Sequence, residues 1–275
     1  MTISLYINAF ILFSFVGWIY ECIYCTIVDK RWENRGFLFG PICPIYGASI
    51  ILAMIVFGHL GILKDGYETP VWQIFIITSL MSIVIEYSTS LFLEKIFHAV
   101  WWDYTNVPLN INGRICVPAT LGFGISGVFI VKFLLPFVES LPIEEYMPEC
   151  EILAFIFVFL LGVDVAITVA SLTDMLERIS NMQQNFDKRI QSGYKLASQG
   201  PAAIASAAKN TAINAGKELS ASISSYVKNL SIKDRHHLRS IRGFRSVSYK
   251  AVGERIRKAL SELRPGSRES DEKAS

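Results

Sequence analysis

Glu86 lies in the middle of an apolar stretch, Val71–Phe97, that is long enough to cross a membrane. A carboxylate placed in a bilayer is costly, so it normally faces other protein or enclosed water. Around it Thr78, Ser82, Glu86, Ser90 and Glu94 recur every four residues, a spacing that puts them on one face of a helix. The stretch therefore predicts a membrane helix whose polar seam turns toward the interior of a bundle.

Four further segments match it in length and apolar character: residues 5–28, 37–60, 117–138 and 152–172. Hydrophobic residues make up 52% of the chain and charged ones 18%, and the mean hydropathy of +0.38 is too high for an ordinary soluble domain. The expected fold is all-α: a polytopic transmembrane bundle of about five spans, one interrupted, over residues 1–173. A basic helical tail follows over 174–264, then a disordered end, 265–275. Charge supports the division, because residues 1–173 carry 7 Lys/Arg against 14 Asp/Glu and residues 174–275 carry 19 against 10. Basic residues flank one set of loops (Lys30, Arg31, Arg35; Lys95, Arg114; the tail), which by the positive-inside rule puts the N-terminus outside and the tail in the cytoplasm. The first span contains Glu21 and lacks a basic leader and a small-residue cleavage site, so it is expected to be a retained span.

The second segment starts Gly36-Phe37-Leu38-Phe39-Gly40-Pro41-Ile42-Cys43-Pro44-Ile45-Tyr46-Gly47. Pro41 and Pro44 forbid a regular helix through it, so an irregular stretch is expected, with a helix beginning near one of them. Two readings follow. Free backbone N–H groups and a positive helix end beside Arg35 would favour an anion, or the helix simply starts at a proline and Arg35 is an interfacial anchor. The 98–116 loop likewise reads as a cap over the bundle or as a ligand-contacting loop. Its aromatics suit an interfacial belt, but a belt has no need of Asp103, Asn110 or Arg114.

Three acids fall at about one level. At 1.5 Å per residue Glu21 sits roughly 10 Å, and Glu86 and Asp164 each roughly 14 Å, from the cytoplasmic ends of their spans. Any one of them is explained by helix-to-helix hydrogen bonding. Three at one depth, with Arg35 and Arg114 nearby, favour a binding or transport site. The five cysteines are odd in number, and Cys22-x-x-Cys25 has no second pair, so buried thiols are expected rather than disulfides or a metal centre. No cofactor or metal is implied, and no nucleotide-binding or hydrolase motif marks an enzyme. In the tail, Tyr249, Val252, Ile256, Leu260 and Leu263 share one helix face. That face suits anionic lipid or a protein partner, and no nucleic-acid-binding motif accompanies it.

Several motifs together resemble a known bacterial family: Gly17-Trp18-x-x-Glu21, Asn34-Arg35-Gly36-Phe37, Gly40-Pro41-x-x-Pro44-Ile45-Tyr46-Gly47, Glu86-Tyr87 with Glu94, Trp102-Asp103-Tyr104, and Asn110-Ile111-x-Gly113-Arg114-Ile115. Over about residues 10–125 the chain is similar to the family labelled "putative ABC-transporter type IV permease". The resemblance implies a permease subunit working with a separate ATPase. The motifs add Asn34, Pro41, Tyr46 and Glu94 to Glu21, Arg35, Glu86, Asp103, Asn110, Arg114 and Asp164 as candidate ligand-binding residues. Three functions compete. One is a permease component binding a polar or charged solute. Another is a membrane enzyme that holds a phosphate-bearing or lipid-linked substrate with Arg35 and Arg114. The third is a scaffold acting through its tail. Expected partners are the bilayer, an ATPase subunit and a second copy of the chain.

Overall fold

The computed structural model describes residues 2–29, 36–59, 69–140, 142–197, 202–245 and 247–262. Helices dominate: α1 (Ile3–Asp29), α2 (Pro44–Ala53), α3 (Val71–Phe97), α4 (Val117–Phe129), α5 (Leu135–Glu139), α6 (Met147–Ala197), α7 (Ala202–Lys228), α8 (Ile232–Ser240) and α9 (Val247–Glu262). Four two-residue strands form two antiparallel pairs: β1 (Ala99–Val100) with β4 (Gly243–Phe244), and β2 (Asn110–Ile111) with β3 (Ile115–Cys116). Among the described residues, four helices are long and apolar enough to cross a membrane: Ile3–Ile27, Val71–Phe97, Val117–Val138 and Met147–Gly193.

The expected second span is the interrupted one. Residues 37–41 are bends, and the helix begins at Pro44, where a missing N–H costs nothing. It continues through a π-helical stretch, Met54–His59. Its apolar part, Pro44–Phe57, is only about 21 Å long, short of a hydrocarbon core of about 30 Å. A second π-helical stretch, Ile130–Leu134, joins α4 to α5 just before Pro136, whose missing N–H cannot close the regular ladder.

The chain divides into two compact units. The first comprises Met1–Lys95 and Trp101–Val169, the second Ile96–Val100 and the chain from Ala170 on. In the first unit α1 and α2 lie closest, because glycines admit neighbours where a Cβ would collide. Gly17 faces the Tyr46 ring, and Gly47 faces Ser14 and Phe10. Gly124 and Gly127 of α4 admit Ser79, Phe75 and Thr78 of α3 in the same way. Ala9, Phe13, Ile50, Ala53, Met54, Phe57, Ile74, Val131 and Leu135 form the core. The outer faces are apolar and exposed, with Phe155 79% and Phe159 70% accessible, as expected of surfaces that meet lipid.

In the second unit the later turns of α6 pack with α7, α8 and α9 around Leu172, Met175, Ile179, Ile223, Ile241, Val252 and Ile256. This revises the expectation for the last helix. Val252 and Ile256 are 0% exposed and Leu260 6%, so the face expected to meet lipid or a partner is spent on the unit's own core. Leu263 and the expected disordered end, 265–275, lie outside the described residues.

His237 is buried in this unit, with Nε2 2.7 Å from the Ser171 hydroxyl. Burial, reinforced by neighbouring His236, lowers its pKa from 6.5 to about 4. The unfolded chain therefore binds the extra proton first, so stability is complete above pH 6.5 and falls as the pH drops toward 4. Thermal melts across that window are expected to show a falling transition for the wild type and a flatter one for His237→Gln. A transition for the unit that does not move between pH 6.5 and 4 would refute this assignment.

Candidate functional site: a polar seam in the helical bundle

The seam is built on α3, and its four-residue stripe divides into two halves. Thr78 and Ser82 turn back on their own helix, donating to Ile74 O at 2.8 Å and Ser79 O at 2.8 Å. Glu86, Ser90 and Glu94 instead receive groups from the loop that precedes α4. Arg114 Nη1 lies 2.7 Å from Glu94 Oε2 and 3.3 Å from Ser90 Oγ, and its guanidinium carbon stands 5.6 Å from the centre of the Tyr87 ring. The Tyr104 hydroxyl donates to Glu86 Oε1 at 3.4 Å.

The loop delivers these groups because it is folded on itself. Asn112 and Gly113 both have positive φ, 53° and 66°, and Arg114 N donates to Ile111 O at 3.0 Å. That is the Asn-Gly turn suited to a tight hairpin. Asp103 and Asn110 hold this geometry. Asp103 Oδ1 accepts from Thr105 N at 3.0 Å, Asn110 Oδ1 accepts from Gly113 N at 3.1 Å, and Asn110 Nδ2 donates to Val107 O at 2.8 Å. A side chain on Gly113 would collide with Asp103 Oδ1, 2.7 Å from its would-be Cβ. Trp102 Nε1 donates to Arg114 O at 2.9 Å, which orients the arginine. Asp103 and Asn110 thus spend their polar atoms inside the loop, while Arg114 and Tyr104 are aimed at α3.

Glu21 is reached from α2. Gly17 and Glu21 are one turn apart on α1, so the Tyr46 ring that lies over Gly17 brings its hydroxyl to Glu21 Oε2 at 2.7 Å. Burial, and after it the Glu86 carboxylate, raises the Tyr104 hydroxyl above its ordinary pKa, so it stays a donor. Glu86 is 6% exposed, and its Oε2 has no hydrogen-bond partner. Among the described residues no Lys or Arg pairs with Glu21 or Glu86, and no group of His, Cys, Asp and Glu is placed to hold a metal ion.

Asp164 has a different neighbourhood. Its carboxylate accepts from Phe39 N at 3.1 Å, Gly40 N at 2.9 Å and Thr168 Oγ1 at 3.2 Å. The irregular segment does offer its N–H groups to an anion, and here the anion is a side chain of the same molecule. A Cβ on Gly40 would stand 2.7 Å from Asp164 Oδ2, so the backbone reaches the carboxylate only because residue 40 is glycine. Pro41 is exposed and holds the bend, across which Ile42 N donates to Gly40 O at 2.8 Å. Asn34 and Arg35 lie outside the described residues.

The structure thus groups Glu94 with Arg114, Glu86 with Tyr104, Glu21 with Tyr46, and Asp164 with the 39–40 amides. Tyr87, Ser90, Tyr104 and Thr168 were absent from the candidate set. The signal for Tyr104 was its place in Trp102-Asp103-Tyr104, and for Ser90 its place in the α3 stripe.

A glycine-packed bundle of membrane-length helices with charged groups between them defines a polytopic membrane protein. Residues 8–169 match the family described as "Putative ABC-transporter type IV", and the chain belongs to that family. No curated protein and no solved structure matches the chain. Most of the second unit lies beyond the matched residues.

Asp164→Asn keeps the shape of the side chain and removes its charge. Charge-assisted hydrogen bonds contribute about 1.5–3 kcal/mol. Hydrogen exchange at the Phe39 and Gly40 amides is therefore expected to accelerate by at least about tenfold in the variant, while α4 amides are unchanged. Equal exchange in the two proteins would mean the carboxylate does not hold this segment.

Proposed function

We propose that the chain is the permease component of an ABC-type transport system whose ATP hydrolysis is supplied by a separate subunit. In this reading the bundle of residues 1–173 crosses the membrane with its N-terminus outside, and the tail of residues 174–264 is cytoplasmic. A polar or charged solute is bound in the seam. The observation that carries the reading is that two acids of the bundle, Glu21 on α1 and Glu86 on α3, are each held by a tyrosine hydroxyl, with neither neutralised by a described Lys or Arg. Charged groups that serve only packing are expected to be matched, as Arg114 and Glu94 are nearer the end of α3. These incompletely matched acids, Glu86 with its unpaired oxygen above all, are where a solute would supply what is missing.

The reading as an enzyme acting on a phosphate-bearing head group is weaker. It places the head group on Arg35 and Arg114 beside the start of the interrupted helix, but Arg114 is paired with Glu94 and the Phe39 and Gly40 amides are bonded to Asp164.

Glu86→Gln and Tyr104→Phe are expected to insert normally, yet to leave a strain deleted for the gene unrestored. Gly122→Ala, at a position with open space around it, is expected to restore it fully. Full complementation by Glu86→Gln would remove Glu86 from the transport site.

A further inference from the structure

The second unit carries a basic surface whose place is fixed by backbone hydrogen bonds. Residues 231–258 contain nine Lys/Arg and two acids. Of those acids Asp234 is buried, and Glu254 lies 3.2 Å from Arg257. On α8 the residues Asp234, His237 and Leu238 turn inward. Arg235 and Arg239 are therefore left four residues apart on the outward face, which they share with Ile232, three residues before Arg235 and 90% accessible.

Beyond α8 the chain pairs with the residues that leave α3. Arg242 N donates to Val100 O at 2.7 Å and Arg245 N to His98 O at 3.0 Å, on either side of the β1–β4 pairing. His98 is the residue that follows Phe97, the last residue of a helix of membrane-spanning length. Exposed Arg245 is thus held one strand spacing, about 5 Å, from the point where the chain leaves that helix. His98 also stacks on Tyr249 at 5.6 Å, which ties the start of α9 to the same place.

We propose that this basic surface, Arg235 and Arg239 with Ile232 on the outward face of α8 together with exposed Arg245, docks on anionic phospholipid head groups at the membrane surface where α3 ends. Clustered bases next to a membrane helix are attracted to acidic lipid within about one Debye length, roughly 10 Å. An exposed isoleucine on the same helix face as two arginines suits the boundary of head groups and acyl chains, and a nucleic acid has no use for it. The surface differs from the α9 face considered from sequence, which the unit's own core consumes.

The test is hydrogen exchange of the full-length protein in nanodiscs of phosphatidylcholine alone and of phosphatidylcholine mixed with phosphatidylglycerol. Amides of α8 are expected to exchange about tenfold more slowly in the mixed discs. That difference is expected to vanish in the wild type at high salt and, at low salt, in R235Q/R239Q/R245Q. The high-salt arm needs no variant, so a misfolded variant cannot hide the answer. Equal exchange in the two lipids overturns the proposal, as does slowing that survives both high salt and the triple substitution. Slowing in either disc only when an acidic protein or RNA is added would also overturn it, by giving the surface to another class of partner.

Discussion

An apolar surround leaves a polar side chain no water to turn to, so its partners must come from the chain itself. The Arg114–Glu94 ion pair answers that constraint most directly, with both side chains largely withdrawn from solvent. Much of the seam follows from it. Pinning Arg114 to α3 requires the 101–116 loop to fold back over the helix. The Asn112-Gly113 turn, together with Asp103 and Asn110, makes that fold self-supporting. Once the loop is in place, Tyr104 stands over Glu86.

The same constraint explains the interrupted second segment. Two prolines break the helix, and broken helices expose N–H groups that cannot stay unmatched at depth. Asp164 takes two of them. The chain thus neutralises an anion-seeking backbone with its own anion and, in the same step, finds a place for a carboxylate on a long apolar helix. Glu21 and Glu86 have no comparable arrangement. Glu21 receives the Tyr46 hydroxyl and, at 3.9 Å, the Cys25 thiol, whereas Glu86 receives the Tyr104 hydroxyl on one oxygen and nothing on the other. The contrast between satisfied and unsatisfied carboxylates in one bundle is the physical basis for locating the proposed solute site.

Local features were legible in the sequence, whereas pairings distant along the chain were not. The α3 stripe declared itself by its period, and Pro41 and Pro44 announced that a helix begins near one of them, which is Pro44. The hairpin turn could have been read from Asn112-Gly113, whose tolerance of positive φ is a local property. By contrast, Asp164 and Gly40 are separated by 124 residues, and nothing in either neighbourhood names the other. Three acids at one calculated depth looked like one cluster. Depth fixes only the level of a residue, and the direction in which a helix turns its side chains depends on packing that the glycines of α1, α2 and α4 determine. The amphipathic face of α9 was likewise visible as a face, but its partner, the rest of the second unit, was not.

The family match ends at residue 169, so what the bundle does and what the second unit does are separable questions. The most direct test of the account is affinity purification of the full-length protein in mild detergent, with mass spectrometry of everything that co-purifies. The account predicts a stoichiometric ATPase subunit. A preparation that repeatedly yields no ATPase, but retains a lipid-linked intermediate, would contradict it.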